Sequence, residues 1–218
     1  MILKRLVFDI IFWVTANITV LLAAQDMNSF LHDPGGQVLL TVLNILWFIP
    51  IVGDAYVPQG KIKVSAMEHL YYLTMSVLLL EFIGSAYEYT HFRIGNITPP
   101  ETVIGLAAIC VGFLISLSGW LSIRRYSAPR FQIIEDHKVI SNGLYRFIRH
   151  PICLSFFLIA LGVPIFLRSA AGLVILVLIV RPAWIHVLKA EEKFLLSQLG
   201  DEYKVYLGRT KRLIPFVY

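Results

Sequence analysis

At 218 residues, with 57% hydrophobic and only 15% charged, the sequence lies far from an ordinary soluble domain, in which about a quarter of residues are charged. Its formal charge of +5 is concentrated: Arg124, Arg125, Arg130, Lys138, Arg146 and Arg149 crowd one loop, and Lys204, Arg209, Lys211 and Arg212 lie near the C-terminal end. Beside apolar runs, such patches mark the cytoplasmic face of a membrane and its anionic lipid rather than a nucleic-acid partner.

Lys4 and Arg5 precede an apolar run from Leu6 to Ala24. With no small-x-small cleavage site before Gln25-Asp26, that run reads as a first span that stays in the chain. Further apolar stretches cover Gln37 to Val52, Leu70 to Tyr87, Thr102 to Ile123, Ile152 to Leu167 and Ala170 to Leu188. The expected fold is an all-α polytopic integral membrane protein of about six spans, or five if the short second or fifth is half of a helical hairpin. Asp26, His32 and Asp33 occupy the first loop, Lys61 and Lys63 the second, Glu88, Arg93 and Glu101 the third, and the cation cluster the fourth. This alternation puts both termini and the Arg124 to Arg149 loop in the cytoplasm.

Glu81 stands in the middle of the third span, where a carboxyl group is costly unless it faces the bundle interior and finds a donor. Gly162, Pro164, Arg168 and Gly172 predict a short reversal that pairs the fifth and sixth spans antiparallel. Beyond the last span, Phe194, Leu195 and Leu199 continue at helical spacing, and Gly200 is a natural stop. No repeat or low-complexity linker divides the chain, so residues 1–218 read as a single domain. Cys110 and Cys153 both sit in apolar stretches, which supports neither a disulfide framework nor a CxxC metal site, and no metal is expected.

There is no GxGxxG after a strand, no Walker A, no HExxH and no GxSxG. What remains is the basic, aromatic turn Gly143-Leu144-Tyr145-Arg146-Phe147-Ile148-Arg149-His150-Pro151 and, after the hairpin, Glu191-Glu192. The hairpin would bring these to one membrane face, where both signs of charge suit a zwitterionic, cationic ligand. Each cluster also has a plain structural account. Glu191 and Glu192 flanked by Lys189 and Lys193 can be a solvated helix face, and His150 can cap a helix that starts with Pro151.

Gly-x-Tyr-Arg-x-x-Arg-His-Pro, the preceding Glu135-Asp136-His137-Lys138-Val139-Ile140, the Glu191-Glu192 pair, the Leu199-Gly200-Asp201-Glu202-Tyr203 turn and the Arg212-Leu213-Ile214-Pro215 ending resemble the isoprenylcysteine carboxyl methyltransferase family in order and spacing. The resemblance covers roughly Ser127 to Phe216. It implies a membrane methyltransferase that binds S-adenosylmethionine in a cytosol-facing pocket, which makes 124–218 the cofactor-binding region; residues 1–123 read as N-terminal transmembrane helices from their apolar runs alone. The matched cofactor-binding positions are His137, Lys138, Val139, Ile140, Tyr145, His150, Pro151, Ile152, Cys153 and Glu191; no catalytic residue is assigned. Three positions depart from the family pattern: Leu144 replaces a common proline, Cys153 the usual tyrosine, and Val187 stands where eukaryotic members place a substrate-binding arginine, a role for which His186 or Lys189 is available.

Moving a methyl group from a sulfonium to a carboxylate removes two opposite charges, so a poorly solvated site favours the reaction and no general base is needed. An amine or phenol acceptor would need one, and Glu192 or His186 would be candidates. The acceptor implied is lipophilic, a prenylated thiol carboxylate in the named family, entering from the bilayer. The competing readings are a membrane reductase of the sterol-reductase type using NADPH and a non-enzymatic lipid-binding membrane protein.

Overall fold

The computed structural model describes residues 2–56, 62–65, 68–92, 99–123, 132–134 and 139–213. A helix occupies each of the predicted apolar stretches. They are α1 (Ile2–Ala23), the short α2 (Met27–His32), α3 (Pro34–Tyr56), α4 (Glu68–Phe92), α5 (Pro99–Ile123), α6 (Pro151–Leu167), α7 (Ala170–Ile175) and α8 (Arg181–Arg209). A π-turn over Leu176–Val180 joins α7 to α8, just ahead of Pro182, which has no N–H with which to continue an α-helical ladder.

Among the described residues, His69–Phe92, Pro100–Ile123 and the continuous run Ala170–Arg209 are long and apolar enough to cross a membrane. Shorter apolar helices run over Asp9–Ala23, Pro34–Leu46 and Pro151–Leu167. The outward faces carry large apolar side chains, among them Ile11, Ile18, Val103, Leu114 and Leu178, as a lipid-facing surface requires. The second stretch is longer than its apolar core suggests, because Asp33 starts α3 early by accepting the Gly35 N–H at 2.8 Å. The helical expectation holds, with one small addition: β1 (Ile62–Ser65) and β2 (Gln132–Ile134) pair antiparallel, Ile62 opposite Ile134. Strands of four and three residues are too short to show a period in sequence.

The predicted reversal is present. Arg168 ends α6 at φ 53°, and Ser169 caps α7 by accepting the Gly172 N–H at 2.9 Å. Glu88 of α4 fastens this turn, accepting the Ser169 hydroxyl and the Ala171 N–H, each at 2.7 Å. The more extensive partner of α6, however, is α5 rather than the α7–α8 run. Gly105, Gly112 and Gly119 form one stripe of α5, and a Cβ on them would lie 2.5 Å from Phe166 N, 2.7 Å from Ile159 Cγ1 and 3.0 Å from Ile152 Cγ1. The order of those partners makes α5 and α6 antiparallel, with backbones in the close approach that small residues permit in bundles.

Glu81 is fully buried in α4 and accepts the Ser85 hydroxyl at 3.2 Å. It faces the bundle interior, as a carboxyl at that depth must. The predicted stop at Gly200 is a break inside α8, at φ 56° and ψ −132°. The segment from Asp201 to Arg209 leaves it in a new direction, and that change of direction builds the site.

Candidate functional site

The turn before α6 starts with Gly143 at φ 55°, where a side chain would be strained and its Cβ would meet Ser122 Oγ at 2.5 Å. A single 3-10 turn over Gly143–Arg146 follows. The chain then extends, and Phe147 to His150 lies beside the residues that follow α8. Ile148 and Lys211 form a parallel bridge; Lys211 N–H donates to Phe147 C=O at 3.1 Å, Arg149 N–H to Lys211 C=O at 2.8 Å, and His150 N–H to Arg212 C=O at 3.2 Å. The Tyr206 hydroxyl donates to Tyr145 C=O at 2.8 Å. The helix after Gly200 thus holds the turn from behind, and His150 and Pro151 begin α6 as their types predict.

Glu191 and Glu192 follow the apolar part of α8, which ends at Leu188. Glu192 is buried and accepts from Arg149 Nε at 2.9 Å, Arg212 Nε at 3.1 Å and Arg212 Nη2 at 2.5 Å. Arg149 also donates to the carbonyls of Leu207 and Thr210. His150, 6% exposed, sits between the two acids: Nδ1 is 3.3 Å from Glu191 Oε2, and Nε2 is 3.3 Å from Glu192 Oε1. The Nδ1 pair is at ion-pair distance but outside hydrogen-bonding geometry, so Glu191 Oε2 has no hydrogen-bond donor.

Burial opposes a charged imidazole here, but the Glu191 charge, with Cys153 and both carboxylates in reach of the ring, outweighs it and holds the His150 pKa well above 6.5. With a carboxylate 3.3 Å from each ring nitrogen, the ring is held as imidazolium. Burial would raise Glu192, yet hydrogen bonds from His150, Arg212 and Arg149 pull it well below the usual carboxylate range. Tyr145 and Tyr203 are pushed up, first by burial and then by neighbouring charge that includes Glu191, and Tyr206 is raised to about 12, chiefly by burial. All three remain neutral donors at physiological pH.

Of the sequence-predicted positions, Tyr145, His150, Cys153 and Glu191 come together: Glu191 acts on Tyr145 and Cys153 through charge, and His150 acts on Cys153. Pro151 is buried, and Ile152 packs on Gly119. Val139 and Ile140 are half-buried, and Val139 N–H points to Glu202 Oε1 at 3.4 Å. His137 and Lys138 lie outside the described residues. Val187 is buried, whereas His186 and Lys189 are exposed on the outer face of α8. Glu192 belongs to the same cluster. It shares His150 with Glu191, because a buried ring lying across the helix reaches both residues through its two nitrogens. Sequence reasoning missed Glu192, Arg149 and Arg212 as one cluster; the available signal was an excess of cations facing so few acids.

An open groove of about 610 Å³ borders the same turn, between Leu114, Leu117, Ser118 and Leu121 of α5 and Asn142 and Gly143. Leu114, Leu117 and Leu121 are among the exposed apolar residues, so the groove opens on the lipid-facing flank.

Residues 100–202 match the family model described as phospholipid methyltransferase. The chain is similar to the protein-S-isoprenylcysteine O-methyltransferase of Schizosaccharomyces pombe, 29% identical over 83 residues that make up 38% of this chain and 35% of that one. It is similar to protein-S-isoprenylcysteine O-methyltransferase B of Arabidopsis thaliana, 24% identical over 206 residues, 88% of this chain and 100% of that one. The matched stretch thus spans about a third of the yeast relatives and the whole of the plant protein. A solved structure of the eukaryotic intramembrane Ras methyltransferase, an isoprenylcysteine carboxyl methyltransferase, superposes with a TM-score of 0.47 at 18% identity, covering 97% of this chain and 86% of that one.

Proposed function

From the similarity to protein-S-isoprenylcysteine O-methyltransferases, we infer that this chain belongs to the isoprenylcysteine carboxyl methyltransferase family and transfers a methyl group from S-adenosylmethionine to the carboxylate of a lipophilic, prenylated acceptor at the membrane. The observation that carries the reading is Glu191 Oε2: a carboxylate oxygen with no hydrogen-bond donor, beside half-buried Tyr145 and the His150 cation. Such an oxygen fits a ligand that brings donors, a ribose diol or an ammonium group.

When bound, S-adenosylmethionine supplies an electrophilic methyl group on a cationic sulfur. The chain's own residues do the rest by position. Glu191 accepts from the ligand, while His150 is held by Glu192 and keeps Glu191 in place. Tyr145 and Tyr203 stay protonated and donate without competing as nucleophiles. Apolar walls keep both reacting charges poorly hydrated, which favours their mutual cancellation. A carboxylate acceptor asks for no base, in keeping with an imidazolium that has no lone pair with which to take a proton. The groove on α5 suits the apolar part of an acceptor arriving from the bilayer, and the neighbouring cations suit anionic lipid at the cytoplasmic face.

Isothermal titration of detergent-solubilised protein with S-adenosylhomocysteine and with NADPH tests the reading. Binding of the first, followed by label transfer from methyl-labelled cofactor to a farnesylated cysteine, supports it. Binding of NADPH alone points to a reductase, and binding of neither to a lipid-binding protein. The orientation belongs to the same reading: both termini and the site face the cytoplasm. A cysteine placed at Ser141 should react in intact cells only with a membrane-permeant reagent, and labelling by an external impermeant one would overturn that orientation.

A further inference from the structure

The sequence offers no metal motif, but the fold brings three unlike ligands to one place. A ring nitrogen of His150, the Cys153 Sγ and a carboxylate oxygen of Glu191 all lie within 4.8 Å of one another. His150 ends the extended segment, Cys153 stands one turn into α6 and Glu191 comes from α8, so the set exists only in the folded chain. We propose that His150, Cys153 and Glu191 form a binding site for a borderline-soft divalent transition metal, zinc foremost.

The donor set is what zinc selects: one imidazole, one thiolate and one carboxylate leave a fourth tetrahedral position open, the metal displacing the ring proton of His150 and the thiol proton of Cys153 to solvent. Side-chain shifts of about 1 Å would bring the ligand atoms to the roughly 2.0 to 2.3 Å that zinc requires. Two further features fit. Glu192 accepts from His150 Nε2 at 3.3 Å, the carboxylate–histidine arrangement that fixes ring orientation in metal centres. Glu191 Oε2, 3.3 Å from Nδ1, has no hydrogen-bond donor to give up. Hard cations such as magnesium prefer all-oxygen shells and should not bind. The place is the one assigned above to the cofactor, so metal and cofactor exclude each other. The metal site itself needs nothing of the cofactor reading.

Cobalt(II) is the probe, added to chelator-treated full-length protein in detergent. We expect a thiolate-to-cobalt absorption band that zinc abolishes and magnesium does not. The band should vanish in Cys153→Ser and persist in Cys110→Ser, whose cysteine is exposed on α5. Glu191→Gln should weaken cobalt affinity by about tenfold or more. Should Cys153→Ser fail to fold, alkylation of the wild-type chain gives the answer: zinc should protect Cys153 and leave Cys110 reactive. No cobalt band, a band surviving in Cys153→Ser, or unprotected Cys153 at saturating zinc would overturn the site. S-adenosylhomocysteine should raise the apparent dissociation constant for cobalt. If that ligand binds the metal-free protein but does not compete, the metal lies elsewhere; if it does not bind at all while cobalt does, the cofactor reading fails and the metal site stands.

Discussion

Among the described residues, Glu81, Glu101 and Glu191 each carry a buried carboxylate oxygen without a hydrogen-bond donor, and the instructive contrast is between Glu81 in the middle of the helical bundle and Glu191 at its polar end. Glu81 is fully buried, tied to Ser85 of its own helix and backed by Gly172 of α7, whose Cβ would crowd the Ser85 hydroxyl. The Glu191 side chain is 23% exposed and faces a cation, a thiol and a phenol. The regions around them differ in the same way. In the bundle, polar groups are joined by neutral partners that hold helices together, such as the Trp13 indole donating to Asn44 at 2.8 Å across α1 and α3. At the polar end, charge is held by charge: two arginines and an imidazole converge on Glu192. An unmet oxygen sealed in a bundle is a structural cost, whereas one at the rim of a charged cluster is a place for a ligand.

The strongest way to break this comparison is to remove the residue that the polar end is built on. Glu192→Ala leaves Arg149, Arg212 and His150 without their shared acid, and uncoupling a buried ion pair typically costs about 3 to 5 kcal/mol. The melting temperature in detergent should fall sharply, and ligand binding should be lost with it. Glu192→Gln, which keeps two acceptor or donor positions but no charge, should fall between. An unchanged melting temperature for the alanine variant would mean that the cluster does not hold the C-terminal segment.

Next in size is the separation of binding from stability within the pair. Glu191→Ala removes a side chain that no arginine needs, so the melting temperature should hold. Affinity for S-adenosylhomocysteine should drop about ten- to hundredfold, the worth of one charge-assisted hydrogen bond, about 1.5 to 3 kcal/mol. His150→Ala should lose comparable affinity and also some stability, because it strips a donor from Glu192. Wild-type affinity in both variants would remove the ligand from this cluster.

How far the sequence led follows from what each feature depends on. Helix positions were legible because a span is a local property, and so was the break at Gly200, because only glycine adopts its φ of 56° with ease. His150 and the Glu191-Glu192 pair were placed together because a hairpin of known length joins them. Glu191 and Glu192 do not form the solvated helix face that their flanking lysines allow, because His150, Arg149 and Arg212 converge on them from outside the helix. The two acids are about 100° apart on α8, and His150 lies between them with one ring nitrogen 3.3 Å from each. Nor could the α5 glycine stripe, seven residues apart, announce that α6 would lie along it. The two-stranded sheet pairs Ile62 with Ile134 across most of the bundle, beyond any local signal.

Gly200→Ala probes the backbone that carries the second half of the polar end. A Cβ there would meet nothing within 4 Å, so the whole effect is conformational. Holding a non-glycine residue in that region of φ and ψ costs about 1 to 3 kcal/mol. The expected result is a modest fall in melting temperature together with weaker ligand binding, since Tyr206 and the Arg149 carbonyl contacts lie beyond the break. Loss of stability with ligand affinity intact would show that the angle at Gly200 does not set the site.

The smallest effect returns to the sealed acid. Glu81→Leu gives up one hydrogen bond from Ser85, whose net worth is about 1 kcal/mol, and removes an oxygen that has no donor. The freed hydroxyl can turn to the carbonyl of residue 81 one turn back, as Thr74 and Thr90 already do within α4 at 2.9 Å. The two changes oppose each other, so the melting temperature should move little, by a degree or two either way on the scale that about 1 kcal/mol represents for a chain of this size. Affinity for S-adenosylhomocysteine should stay within about twofold of wild type, because sites far apart with no shared partner add independently. A tenfold loss of ligand affinity in Glu81→Leu would show that the bundle interior and the polar end are one coupled system, and that the sealed carboxyl serves the site after all.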